Sequence, residues 1–248
     1  MIAQVLRFAA LSLLALAPSM ATMENDANFE IMPMDDMEPD SFEHTDDDHR
    51  NLRRRRSYRF KLKVTNLSVR QPFSPFFVMV HDYSVRLYEF GEEASSQLAR
   101  LAEDGDPQPL VDFFDGRDGV LSAAVHNTDA PYFGGESTEI EIVLNRRYPL
   151  VTIASMGINT NDLFVSLNGV RLYRGSVFYS DGLDAGSEEN NELCESIPGP
   201  ACLNINTTNI ESGNGEGFVH VHPGFHGVGD LAENRYDWRN PMMKVVAY

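Results

Sequence analysis

Tyr58-Arg59-Phe60-Lys61-Leu62-Lys63-Val64 alternates without a slip, with apolar or aromatic side chains at the even positions and cations at the odd ones. A strand turns successive side chains to opposite faces, so this period of two describes a strand with one face in a core and the other in water. The same period returns in Thr138 to Leu144, where Ile140, Ile142 and Leu144 oppose Glu139, Glu141 and Val143. Further strands are expected at Phe76 to His81, Val151 to Ser155, Val165 to Leu167, Arg171 to Tyr173, Gly217 to His222 and Met243 to Tyr248. Many short strands punctuated by Gly, Pro and Asn turns predict an all-β fold, an antiparallel β-sandwich. One or two short helices interrupt it. Glu92 to Glu103 carries Ala94, Leu98, Leu101 and Ala102 at helical spacing and should pack across a sheet or an end of the sandwich. Asp104-Gly105-Asp106-Pro107 stops it, and Pro109 to Phe114 is a candidate second helix.

Outward from this domain, residues 1–21 read as a signal peptide: one cation at Arg7, an apolar run from Phe8 to Leu16, and the small residues of Ser19-Met20-Ala21. The run falls short of the roughly 18 to 20 apolar residues of a spanning helix. The expected location is therefore outside the cell, or the periplasm if the source is bacterial. Residues 22–56 crowd Asp and Glu without hydrophobic period and are expected to be a disordered linker. It ends in Arg53-Arg54-Arg55-Arg56, either a processing site or a solvated basic patch. Residues 57–248 are the right length for one domain with a sizeable core.

The whole chain carries a net charge of −17, and from Ser57 onward 14 basic residues face 26 acidic ones, a net of −12. Such a surface repels polyanions, which argues against a nucleic-acid partner, and it suits divalent cations. Cys194 and Cys202 are the chain's only cysteines. In an exported chain their default is one intramolecular disulfide, closing a short loop worth roughly 2 to 3 kcal/mol by loop entropy. Their spacing is not the Cys-x-x-Cys of a reactive thiol pair.

Several separated motifs then occur in order: Val64-Thr65-Asn66-Leu67-Ser68, Gln71-Pro72-Phe73-Ser74-Pro75, Ala154-Ser155-Met156 with Asn159-Thr160-Asn161-Asp162, Asp184-Ala185-Gly186, and Tyr236-Asp237-Trp238-Arg239-Asn240-Pro241. Together, over about Tyr58 to Tyr248, they resemble the spondin N-terminal domain family. The resemblance implies a sandwich related in shape to C2 domains, an extracellular binding or adhesion role, and no catalysis. Gly217 to Leu231 and the absence of thrombospondin-type repeats depart from the matrix members of that family and leave the family's adhesion partners open.

The resemblance also implies a Ca2+ ion held by Asp162, Asp184 and Glu188. Calcium takes six to eight oxygens, and loop carboxylates supplemented by carbonyls and water provide them. Asp184 and Glu188 stand four apart around Gly186, which lets the chain curl so that both carboxylates face one point. Glu replaces Asp at the last of the three positions, so a longer arm must reach the ion. Asp and Glu in Gly-rich loops also serve as plain turn formers, and Asp181 and Glu189 would assist or merely solvate.

A second constellation is Phe218-Val219-His220-Val221-His222-Pro223-Gly224-Phe225-His226, which sets His220 and His222 on one face of a strand and His226 beyond a turn. That spacing suits a transition metal, with His81 as a fourth ligand if the two strands are neighbours. The alternative function is accordingly a histidine-metal oxidoreductase or hydrolase. No nucleophile elbow, phosphate loop, metalloprotease or kinase signature occurs, so the expectation is binding to an extracellular protein, glycan or surface ligand rather than catalysis. A C2-like shape raises calcium-bridged membrane binding, which the acidic surface opposes. Asn66-Leu67-Ser68 and Asn206-Thr207-Thr208 match the glycosylation sequon, although Asn66 also suits a turn at a strand end. Trp238 reads as a core or strand-end anchor.

Overall fold

The computed structural model describes residues 57–126, 128–202 and 214–248. The signal peptide, acidic linker, arginine run and Asn206 expected from the sequence lie outside the described residues. Two antiparallel sheets face each other. The smaller has the order β4-β1-β10-β7, formed by β1 (Ser57–Asn66), β4 (Ser137–Asn145), β7 (Val177–Ser180) and β10 (Met243–Ala247). The larger has the order β3-β2-β5-β6-β8-β9, from β2 (Phe76–His81), β3 (Val120–His126), β5 (Leu150–Met156), β6 (Leu163–Arg171), β8 (Gly182–Asp184) and β9 (His220–Val221).

The alternation of the first strand sorts as expected. Leu62 and Val64 turn into the core with Ile140, Ile142 and Leu144 of the paired β4, while Lys61 on the outer face stands 3.6 Å from Glu139 and 3.4 Å from Glu141. Those exposed ion pairs add little stability, so the buried face holds the pairing in register. Phe76, Val78, Val80, Val151, Ile153, Leu163, Val165 and Leu167 complete the core from the larger sheet.

β2 is buried along its whole length because the larger sheet is covered on both faces. Phe77 and Met79 point away from the sandwich core, against α1 (Ser96–Asp104) and α2 (Gln108–Phe114), which contribute Leu98, Leu101, Ala102, Leu110 and Phe114. The first helix begins later than Glu92 because Ser95 caps it, accepting a bond from the Leu98 N–H, and it ends on Gly105 at φ 67°. A third short helix, α3 (Glu233–Tyr236), precedes Trp238.

Other differences from expectation have local causes. Val165 to Leu167 and Arg171 belong to one strand, β6, carried past Gly169 at φ 69°, and Leu172 and Tyr173 lie beyond it. β3 and β8 lack a clean period of two: Val120 to His126 has small residues at its centre, and the three residues of β8 are buried throughout. Cys194 and Cys202 form the disulfide, buried at the edge of the sandwich core. Asn66 is a turn former and not a surface acceptor: its amide N–H groups donate to the Gln71 and Tyr132 carbonyls, and its Oδ1 accepts from Ser68. Trp238 is an anchor, its ring 5.0 Å from that of His222 and 6.0 Å from that of Phe225. Among the described residues no helix is long and apolar enough to cross a membrane.

Candidate metal centre

Three adjacent strands bring the candidate residues to one end of the larger sheet. Asp162 immediately precedes β6, whose Leu163 pairs with Asp184 at the end of β8, and Asp184 in turn pairs with His220 of β9. The polar loop that delivers Asp162 is buried and hydrogen-bonded to neighbouring segments. Asn159 donates to the Arg70 carbonyl and accepts from the Ala201 N–H, Thr160 Oγ1 donates to the Gly157 carbonyl, and Asn161 donates to the Glu189 carbonyl. Burying Asn159, Thr160 and Asn161 costs little only because each has such partners.

The loop after Asp184 curls as the sequence suggests. Gly186 takes φ 66° and donates its N–H to Asp184 Oδ1 at 2.7 Å, and a Cβ at Gly186 would lie 2.4 Å from the Phe218 carbonyl oxygen. The next two N–H groups, of Ser187 and Glu188, point at Asp162 Oδ2 at 2.9 and 3.0 Å. One carboxylate oxygen is thus held by the backbone, while Asp162 Oδ1 is buried without a hydrogen-bond partner. An unsatisfied buried acceptor costs about 1 to 3 kcal/mol unless something compensates it.

Asp162, Asp184 and His222 form one group whose donor atoms lie within 4.8 Å of one another, and Asp184, Glu216 and His220 form a second. Asp184 belongs to both. His220 Nε2 stands 3.8 Å and His222 Nε2 3.9 Å from Asp184 Oδ2. The carboxylate and histidine constellations of the sequence are therefore one centre. Glu188 is buried beside it and belongs to neither group, but its charge helps to raise the Asp162 carboxyl. His226 is exposed, belongs to neither group, and gives its backbone N–H to Glu192.

His81 does not join the centre, because β2 and β9 are separated by β5, β6 and β8. Its ring is satisfied where it stands: Nδ1 donates to the Asp82 carbonyl and Nε2 accepts from Thr152 Oγ1, each at 2.8 Å. Asp181 is exposed and outside both groups. Sequence reasoning missed Glu216, four residues before His220 in a Gly-rich stretch, and Asn190, whose Nδ2 donates to Asp184 Oδ2 at 2.7 Å and to Glu216 Oε1 at 3.1 Å.

The electrostatics suit a cation. Burial pushes the Asp162 carboxyl well above its ordinary 3.8, and the Asp184 charge adds to the rise against the pull of the Glu188 and Ser187 N–H groups. Burial raises Asp184 as well, opposed by bonds from Asn190 and Gly186. Both shifts report carboxylates whose charge lacks full compensation from the protein.

The two histidines differ in which nitrogen carries the proton. Gly224 donates its N–H to His222 Nδ1 at 3.0 Å, so the neutral ring carries its hydrogen on Nε2, the nitrogen facing Asp184. Burial pushes this ring down to about 3, which keeps it neutral. His220 is the reverse. Its Nδ1 lies 3.1 Å from the Phe218 carbonyl and donates to it, leaving the Nε2 lone pair toward Asp184. While the Gly224 bond stands, His222 Nε2 carries a hydrogen and is buried without a hydrogen-bond partner, so the inner group offers a cation oxygen alone. His220 is set up as a ligand, its far nitrogen fixed by a carbonyl as metal-binding histidines usually are.

Fold and site together define a class: a two-sheet β-sandwich with a candidate metal centre of Asp and His side chains at one end of its larger sheet. No protein-family model matches the chain, and no curated protein sequence matches it.

Proposed function

We propose that the protein is a secreted binding module of the spondin type, in which a calcium ion at Asp162 and Asp184 rigidifies the loop end of the sandwich that meets an extracellular protein, glycan or surface ligand. The observation that carries this reading is the buried, unpartnered Asp162 Oδ1 beside Asp184. Because His222 presents a hydrogen rather than a lone pair, the inner donors are oxygens, the set a hard cation takes. Asp162 and Asp184 are two of the three ligands implied by the family resemblance. Glu188, the third, is buried beside them and would reach the ion through its longer arm. Backbone carbonyls and water complete such a shell. The disulfide and the acidic surface are compatible with an extracellular setting.

A histidine-metal enzyme draws less support. His81 is separated from the cluster by three intervening strands, His226 lies outside the cluster, and His222 gives its Nδ1 to Gly224. The test is thermal unfolding in chelator and in calcium. At about a hundred times the dissociation constant, linkage stabilises the folded state by about 2.7 kcal/mol, or roughly 5 to 10 °C for a domain of this size. An unchanged Tm in millimolar calcium rejects the calcium reading.

A further inference from the structure

We propose that Asp184 bridges two cation positions, and that the outer one, made by Asp184, Glu216 and His220, takes a borderline transition-metal ion of the zinc class. This goes beyond the inner calcium site but shares one carboxylate with it.

The donor chemistry differs on the two sides of Asp184. The outer side has an imidazole whose Nδ1–H is committed to the Phe218 carbonyl, so its Nε2 lone pair is available. Nitrogen beside carboxylate oxygen suits zinc-class ions and is a poor set for calcium. A tetrahedral zinc with bonds of about 2.0 to 2.2 Å spaces its ligands roughly 3.3 Å apart. The 3.8 Å between His220 Nε2 and Asp184 Oδ2 is therefore a small adjustment away.

Asn190 holds the two outer carboxylates together. Its Nδ2 already bridges Asp184 Oδ2 and Glu216 Oε1, drawing the two carboxylates to one point, while its Oδ1 is buried without a partner. Charge argues for the second ion too. The Glu216 charge acts on Asp184, and the Asp184 charge acts on Asp162, so the shared carboxylate faces like charge on both of its sides. Glu216 is exposed and His220 half-buried, so the outer position is reached from solvent, whereas Asp162, Asp184 and His222 are all buried.

The experiment titrates zinc into the full chain with calcium present, reading zinc by competition with a chromophoric chelator and calcium by the thermal shift. The expected result is one zinc per chain, weakened at least about tenfold by either Glu216→Gln or His220→Ala, with the calcium shift intact in both variants. Absence of saturable zinc binding, zinc binding indifferent to both substitutions, or one-for-one displacement of calcium by zinc would each overturn the proposal. Zinc uptake without any calcium shift would instead sink the inner calcium reading and leave the outer position standing.

Discussion

His220 and His222 sit two residues apart, and both turn Nε2 toward the same oxygen of Asp184, yet they are prepared for opposite work. His220 hands its Nδ1 hydrogen to a carbonyl and keeps a lone pair for the cluster; His222 accepts an N–H at Nδ1 and keeps a hydrogen for it. The difference comes from the backbone around each ring. His220 lies in the two-residue edge strand, where the carbonyl two residues earlier is in reach. His222 precedes Pro223-Gly224, and that turn swings the Gly224 N–H onto the ring. Which residues cluster is therefore less informative than what each backbone neighbour leaves available. The outer side of Asp184 is a nitrogen-and-oxygen site, and the inner side is an oxygen site.

The largest effect that would break this comparison is loss of the shared carboxylate. Asp184→Asn should abolish the calcium-dependent stabilisation of about 2.7 kcal/mol at a hundredfold excess over the dissociation constant, and zinc uptake with it. If either survives, Asp184 does not bridge the two sides.

Asp162→Asn should act on the inner side alone, and its sign should depend on the ion. In calcium the variant should be the less stable protein. In chelator it should equal or exceed wild type, because Asn removes the uncompensated buried charge while its Oδ1 still accepts from the Ser187 and Glu188 N–H groups. The metal-free wild type also carries a pH signature here. The folded-state pKa of Asp162 lies above its unfolded value, so the stability from this group is fully present below about 3.8 and is lost as pH rises through the folded value. Denaturation in chelator should show wild type falling relative to Asp162→Asn as pH rises from about 4 toward neutrality. A flat difference would mean that the carboxylate is already compensated.

His222→Ala should cost about 1 to 3 kcal/mol, since it strips the Gly224 N–H of its acceptor and removes a ring packed on Trp238. That cost should be the same with and without zinc. A cost that grows when zinc is present would make His222 a ligand and merge the two sides into one transition-metal site.

Much of the fold was legible because burial on one face writes a period of two. β1 and β4 carry that period, and the larger sheet's β2 is read from its unbroken apolar run. β3, β7 and β8 were not legible. A three-residue strand such as β8 spans too little sequence to show a period, and its pairing is dictated by β6 and β9 on either side. At the centre, Asp162, Asp184, His220 and His222 could each be singled out from sequence, but not their convergence, which depends on β6, β8 and β9 being adjacent. Glu216 and Asn190 left no signal, because an acidic residue between glycines and an amide in a polar loop look like ordinary solvated turns. His81 shows the opposite error: on sequence it resembles the other histidines, but Thr152 and Asp82 satisfy both ring nitrogens and make it a structural residue.

The smallest effect is also the most direct on the comparison itself. Long-range nitrogen–proton couplings in the metal-free protein above pH 7 should report the hydrogen on Nε2 of His222 and on Nδ1 of both His220 and His81. On acidification the His222 ring should stay neutral until about pH 3, because burial disfavours its charged form. Its folded pKa lies below the unfolded value near 6.5, so the stability it contributes is present above pH 6.5 and is lost as pH falls toward 3. A His222 ring that titrates between pH 5 and 7 is not held in that apolar contact with Trp238. A hydrogen found on Nδ1 of His222 would do more: it would free the Nε2 lone pair, put nitrogen into the inner donor set, and remove the argument that the inner cation is calcium.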